Sequence, residues 1–233
     1  MSGTMSDGTI KYVGWQGILL PRRETAMWHW IVPRMLKHPD ERIKGYPSYQ
    51  RNKYNLCRPY IRDFSHALDI GAHCGFWTMS MSQDFKKVTA FEPSEENCVA
   101  FVHNVDLVAG DCEVNLIQMA LGDKERLASV KVSEDSSTDA FLVEGSDIII
   151  QPLDSLDLAP PTFVKIDVDG YELPVVQGAV GTLREFKPPL IVEVKSGFGE
   201  ARGHSNGDVF ELLQSIGYRV EKEMREDYLM VCE

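Results

Sequence analysis

From His66 onward the sequence alternates short, nearly unbroken apolar runs with longer stretches of helical character, and this order constrains the fold more than any other feature. The apolar runs are HALDI, KVTAFE, EVNLIQMAL, TFVKIDVDG and PPLIVEVK. Strands that are apolar at almost every position are buried on both faces, which implies a parallel sheet covered by helices on either side. Between them, GFWTMSMSQDF reads as a helix whose apolar positions only loosely follow the helical period. Ser94 is an N-cap with Glu95 and Glu96 in the first turn, opening a helix that runs to about Val108 and ends at Gly110. ELPVVQGAVGTLREF is helical after Pro174, SNGDVFELLQSIG is a helix closed by Gly217, and YRVEKE with DYLMVCE forms a hairpin. Two further β-like pieces, LASVKV and DIIIQPL, flank the polar loop SEDSSTDAF.

Residues 1–65 differ in character. ETAMWHWIVPRMLKH favours a helix that Pro33 should bend or stop. YPSYQRNKYNLCRPYIRDF mixes aromatic with basic residues. This front is read as an arm or cap on the sheet, with 66–233 as the main domain. Net charge is −11 over 233 residues, split as +6 through His66 and −17 beyond it. The acidic body argues against sliding contact with nucleic acid. Two arrangements suit the basic front: it meets an anionic partner, or it lies against the acidic body, which is the simpler. Trp28 to Trp30 with Tyr46, Tyr49, Tyr54 and Tyr60 are candidates for an aromatic lid, although ordinary packing of the arm explains them as well.

The five cysteines are scattered and show no CxxC pair, so neither a disulfide framework nor a zinc site is expected. No apolar run approaches the roughly 18 residues of a membrane span, and MSGTMSDGTI has neither a basic nor an apolar segment. A cytoplasmic protein is the expectation.

The chemistry is carried first by DIGAHCG, Asp69 to Gly75, at the carboxyl end of the first strand, where open α/β sheets bind ligands. Gly71 permits a sharp turn, and Gly75 allows close approach of the helix start. The glycine spacing is GxxxG, not the GxGxxG of dinucleotide loops. Such loops aim N–H groups at a pyrophosphate, which a carboxylate at the loop entrance would repel. Asp69 therefore suits a nucleoside with a cationic tail, such as S-adenosylmethionine, whose ammonium it would accept from directly or through water. Glu92, 23 residues on and ending the second strand in AFEP, is placed to accept both ribose hydroxyls.

LDIGAHCGFWT, VTAFEPSEEN, FVKIDVDGYELPVVQGA and PPLIVEV, in this order, resemble the FkbM-type methyltransferases. The resemblance covers roughly His66 to the C-terminus. It implies an α/β fold of the class I methyltransferase type, Rossmann-like, with a mixed seven-stranded sheet and helices on both faces. It implies S-adenosylmethionine as cofactor, with Asp69, Gly71, Ala72, His73 and Gly75 shaping the methionine pocket, and Glu92 with Pro93 at the ribose. Ala120 and Leu121 would flank the adenine, with Gln118 or Asp123 as polar partners, and Asp167 would face the reacting methyl. Family members commonly carry Asn where His73 stands and Glu where Asp169 stands.

If the acceptor is a hydroxyl, a base assists its deprotonation. The candidates are Asp167, Asp169, Glu172, Glu193 and His204, with Asp167 at the best-placed strand tip. Asp167 and Asp169 point the same way if DVD stays extended. Glu193, in an otherwise apolar strand, should be paired or line the cleft. Two such acids can also hold a divalent cation, but without an obvious third ligand a metal-free site is favoured. Lys165 and Glu172 are expected to form an ion pair at a sheet edge. The reading is an O-methyltransferase for a small-molecule or glycan acceptor. The alternatives are a nucleoside-binding module without catalysis and an NAD-dependent oxidoreductase; oligomeric state is left open.

Overall fold

The computed structural model describes residues 12–21, 32–37, 41–131, 141–199 and 203–232. Seven strands form the main sheet: β3 (His66–Ile70), β4 (Lys87–Phe91), β5 (Glu113–Ile117), β9 (Phe163–Ile166), β10 (Leu190–Glu193), β11 (Tyr218–Met224) and β12 (Asp227–Cys232). Their spatial order is β5-β4-β3-β9-β10-β12-β11, parallel except for β12, which runs antiparallel to both β10 and β11. The order reverses between β3 and β9, so their carboxyl ends open a crevice at the switch point.

Strands β3, β4, β9 and β10 bury both faces, as their apolar runs require, whereas the edge strands β5 and β11 stay partly exposed. Leu68, Ile70, Val164, Ile166, Leu190 and Val192 pack against α5 (Glu172–Gln177), α6 (Val180–Phe186) and α7 (Asn206–Ser215) through Val175, Val176, Leu183, Val209 and Leu213. Fully burying one such aliphatic side chain stabilises the fold by about 1.5–3 kcal/mol. Ala67, Phe163, Ile191 and Leu229 face the other way, against Trp77 and Met81 of α3 (Phe76–Met81). All six residues of α3 are buried, which is why its sequence shows no clean amphipathic period. Beside it, α4 (Glu95–Asp106) is capped by Ser94, whose side chain accepts from Asn97 N–H.

Several boundaries differ from the sequence expectation. EVNLIQMAL divides: β5 stops at Ile117, and Ala120–Leu121 forms β6, which joins β7 (Arg126–Lys131) and β8 (Phe141–Gln151) in a separate three-stranded sheet. The long helix after Pro174 begins earlier, at Glu172, and breaks at Gly178–Ala179 into α5 and α6. Gly178 lies so close to Gly122 O that a Cβ there would sit 1.9 Å from it, so the break is where the second sheet presses on the helix layer. Pro33 occupies the first turn of α1 (Val32–Lys37), where its missing N–H is tolerated; the stretch before Val32, on which the expected bend bears, lies outside the described residues. Trp28 to Trp30 and the loop SEDSSTDAF up to its last residue, Phe141, fall outside the described residues.

The front contributes to the main core. Tyr54, Cys57 and Ile61, in and just after α2 (Arg51–Cys57), pack into the cluster around Phe163 and Trp77. Tyr54 meets Trp77 and Phe163 edge to face and donates to Asp84 at 2.8 Å. Arg58 pairs with Asp84 at 2.8 Å, and Lys53 pairs with Asp227. These basic residues thus lie against acids of the body. A hairpin of β1 (Tyr12–Trp15) and β2 (Ile18–Pro21) packs on α4 through Ile18 and Leu20.

Candidate active site

The glycine turn sits at the switch point between β3 and β9. Gly71 has φ +77°, and a Cβ there would lie 1.8 Å from the Asp167 carbonyl oxygen. The N–H groups of Gly71 and Ala72 both reach Phe91 O at 3.0 Å, tying the turn to the tip of β4. Gly75, at φ +87°, starts α3; its missing side chain admits Val105 and Phe101 of α4. Gly75 is thus a packing glycine between helices. His73 takes φ +49°, a left-handed conformation that is uncommon without glycine but least so for Asn, Asp and His. That conformation aims its N–H at Glu92 Oε2, 2.8 Å away.

Glu92 is buried at the end of β4, and its Oε1 accepts from Ser94 N at 2.9 Å and Asn97 Nδ2 at 3.1 Å. Oε2 accepts the single His73 bond among the described contacts, which leaves acceptor capacity for a ligand hydroxyl. Pro93 follows, half-buried. Ala120 and Leu121 are buried in β6; Gln118 is exposed, and Asp123 is held by Arg126 at 2.9 Å.

Asp69 does not stand at the mouth of the turn. It is 0% exposed, accepts from Thr78 Oγ1 at 2.7 Å, and lies 3.2 Å from Lys165 Nζ. Its carboxylate therefore supports the turn from beneath, and direct acceptance from a ligand ammonium is not its geometry. Lys165 is likewise not at a sheet edge. It lies in the central strand β9, in register with Asp69, donates to Gly71 O, and approaches Asp167 to 3.7 Å. Glu172 instead accepts from Gly170 N at 2.8 Å.

The negative charge facing the crevice comes from farther along the sheet. Among the described residues, Asp167, Asp169 and Glu193 each place a carboxylate oxygen within 4.8 Å of the others. Strand β9 ends at Ile166, so extended alternation does not align the two aspartates. A turn with Asp169 at φ +50° and Gly170 at φ +87° folds Asp169 back instead. Glu193, at the tip of β10, supplies the third carboxylate that the sequence did not reveal as a ligand partner. Lys195 Nζ lies between, 2.7 Å from both Asp169 and Glu193. His204 meets the same turn from outside, with Nε2 3.1 Å from Gly170 O.

The charges set one another. Burial and then Asp167 push the Glu193 carboxyl up to about 9. Asp167 is held well below the ordinary range: burial opposes this, but Lys165 and then Lys195 outweigh it. The Asp167–Glu193 hydrogen bond therefore carries one proton near neutrality, and it rests on Glu193. Burial lifts Asp169 to about 6 against the pull of Lys195. Despite burial, Asp167, Asp169 and Glu193 keep Lys195 protonated, and Asp69 and Asp167 do the same for Lys165. With Glu193 neutral, Asp69, Asp167 and Asp169 face two lysines, so the tip of the sheet is net negative once Asp169 ionises.

Sheet order and site position define a Rossmann-like α/β protein of the class I methyltransferase type. The chain belongs to the FkbM methyltransferase family: the model of the methyltransferase FkbM domain matches residues 69–220, more than half its length. Among solved structures it is similar to the FkbM methyltransferase of Methylobacillus flagellatus KT (20% identity, 72% of this chain and 43% of that one, TM-score 0.49). A putative rRNA-methylase of Clostridium thermocellum shares the fold (11% identity, 78% and 95%, TM-score 0.50). It is also similar to the magnesium protoporphyrin IX methyltransferase ChlM of Synechocystis PCC 6803, solved with bound SAM (12% identity, 78% and 77%, TM-score 0.47). The chain thus spans less than half the length of the Methylobacillus protein. No curated protein matches the sequence.

Two contributors, Lys195 and Asn97, escape the sequence reading, and Lys165, expected beside Glu172, meets Asp69 instead. Lys195 lies two residues beyond Glu193, just past the end of β10, a spacing that could have exposed it. Lys165 is the only charge inside FVKI, and Asn97 sits one turn past Glu92.

Proposed function

We propose that the protein is an S-adenosylmethionine-dependent O-methyltransferase for a hydroxyl on a small-molecule or sugar-containing acceptor. Family membership supports methyl transfer. The observation that carries the choice of cofactor is the net-negative carboxylate set at the switch point, beside a glycine turn and Glu92. A diphosphate would be repelled there, whereas an ammonium and a sulfonium are attracted. The glycine turn, Ala72 and His73 would hold the methionine half, Glu92 the ribose hydroxyls, and Ala120 with Leu121 the adenine. When bound, S-adenosylmethionine supplies an already activated methyl group.

The protein's part is then alignment and proton handling. Asp169 takes the proton of the acceptor hydroxyl, because its carboxyl, lifted to about 6, is ionised at neutral pH yet basic enough to act. Lys195 holds Asp169 in place and stabilises the charge before transfer. Asp167, kept ionised by Lys165, presents a fixed negative charge at the strand tip. His204 braces the turn through Gly170 O. Lys195 Nζ lies between Asp169 and Glu193, and the reading assigns the chemistry without a divalent cation. No described helix is long and apolar enough to cross a membrane.

Calorimetric titration with S-adenosylhomocysteine and NAD tests the cofactor: binding of the thioether alone is expected, and tight NAD binding in its place overturns the reading. Transfer of radiolabelled methyl into a cell extract tests catalysis. Thioether binding without any labelled product points to a binding module instead.

A further inference from the structure

The free edge of β2 is not paired with another strand but with side chains of α4. Leu19 N donates to Asn104 Oδ1 at 2.7 Å, and Asn104 Nδ2 donates back to Leu19 O at 2.9 Å. The amide thus acts as a one-residue strand neighbour. One residue earlier on α4, His103 Nε2 lies 2.8 Å from Gly17 O, in the β1–β2 turn two positions before Leu19. The second hydrogen of Asn104 Nδ2 goes to Cys74 O at 2.9 Å, inside the glycine turn. Asn104 is 0% exposed, and its three bonds join segments 85 and 30 residues away in sequence.

Cys74 is flanked by the two left-handed residues of the turn, His73 and Gly75. A non-glycine residue in this region is strained and persists only where its surroundings fix it. On one side Glu92 accepts the His73 N–H; on the other Asn104 holds the Cys74 carbonyl. The path from Leu19 through Asn104 and Cys74 to His73 and Glu92 is continuous. It ends on the residue assigned to the ribose.

We infer that Asn104 is a positioning residue that makes the N-terminal β1–β2 hairpin part of the cofactor-binding apparatus, by clamping the glycine turn in its left-handed form. The front of the chain then serves the cofactor. This rests on reading residues 69–75 as the cofactor turn.

The test is S-adenosylhomocysteine titration of wild type and Asn104→Asp, with unfolding of each monitored by circular dichroism. The aspartate keeps the shape and the acceptor but loses both donated bonds and sets a carboxylate against two carbonyls. Loss of about tenfold in affinity is expected from a variant that still unfolds cooperatively. In case that variant does not fold, amide exchange of wild type gives a second readout: saturating S-adenosylhomocysteine should slow exchange at Leu19 N–H by about fivefold or more. Wild-type affinity in folded Asn104→Asp, or Leu19 exchange indifferent to the ligand, overturns the inference. Failure of wild type to bind the thioether overturns the cofactor assignment itself, and this inference with it.

Discussion

Lys165 and Asp69 face each other on neighbouring parallel strands, 3.2 Å apart and shut off from solvent. A buried ion pair is weak evidence for stability, because desolvation offsets the attraction. Removing one partner is different, since it strands a charge. Lys165→Met should therefore destabilise the protein by about 3–5 kcal/mol, and adding Asp69→Asn should recover much of that loss. Urea unfolding of the two single variants and the double variant measures this. Equal and additive losses would show that the pair does not act as a unit.

The carboxyl of Glu193 makes stability depend on pH. Its folded value, about 9, lies above the 4.5 of an ordinary glutamate, so between these limits the folded protein holds a proton that the unfolded chain has released. Stability from this source is complete below about 4.5 and is lost as pH rises toward 9, at up to about 1.4 kcal/mol per pH unit. Glu193→Gln removes the titration. The variant should resemble wild type near pH 4.5 and exceed it by a growing margin up to pH 9 in thermal unfolding. A constant difference across that range would reject the protonated assignment.

How much of this was legible in the sequence follows from what each residue contacts. HALDI, KVTAFE and LIVE declare buried parallel strands because their own composition does, and Gly71 and Glu92 declare themselves by position at strand ends. Asp69 misleads: a carboxylate before a glycine turn reads as a ligand group, but only the register against Lys165 shows that its charge is already answered. Glu193 could be singled out as a charge in an apolar run, yet its meeting with Asp167 depends on β9 and β10 being neighbours. Asn104 was invisible. Its partners lie in a segment with no sequence signal of its own, and its role exists only once β2 is laid on α4.

The two tight backbone positions of the turn should respond oppositely to substitution. His73 is left-handed, a region asparagine tolerates better, so His73→Asn should raise stability by a few tenths to about 1 kcal/mol. Gly71→Ala forces a Cβ to 1.8 Å from the Asp167 carbonyl and must displace the tip of β9. It should abolish thioether binding and lower the thermal midpoint. Differential scanning calorimetry of both variants, with and without S-adenosylhomocysteine, separates these effects. A harmless Gly71→Ala would mean the turn and β9 are not in contact.

Asp169 fixes the pH dependence of the reaction if it is the base. A base works only when ionised, so methyl transfer should rise with pH through about 6, the value to which burial lifts this carboxyl, and level off above it. Glu193 is protonated and Asp167 ionised throughout that interval, so neither generates this limb. Asp169→Asn keeps a side chain suited to φ +50° and keeps an oxygen that Lys195 can reach, while removing the basic lone pair. It should lower kcat by about 10²–10⁴ with thioether affinity little changed, and it should remove the limb near pH 6. A limb that persists in Asp169→Asn would transfer the role of base to another group, with His204, beside the same turn, the next to substitute.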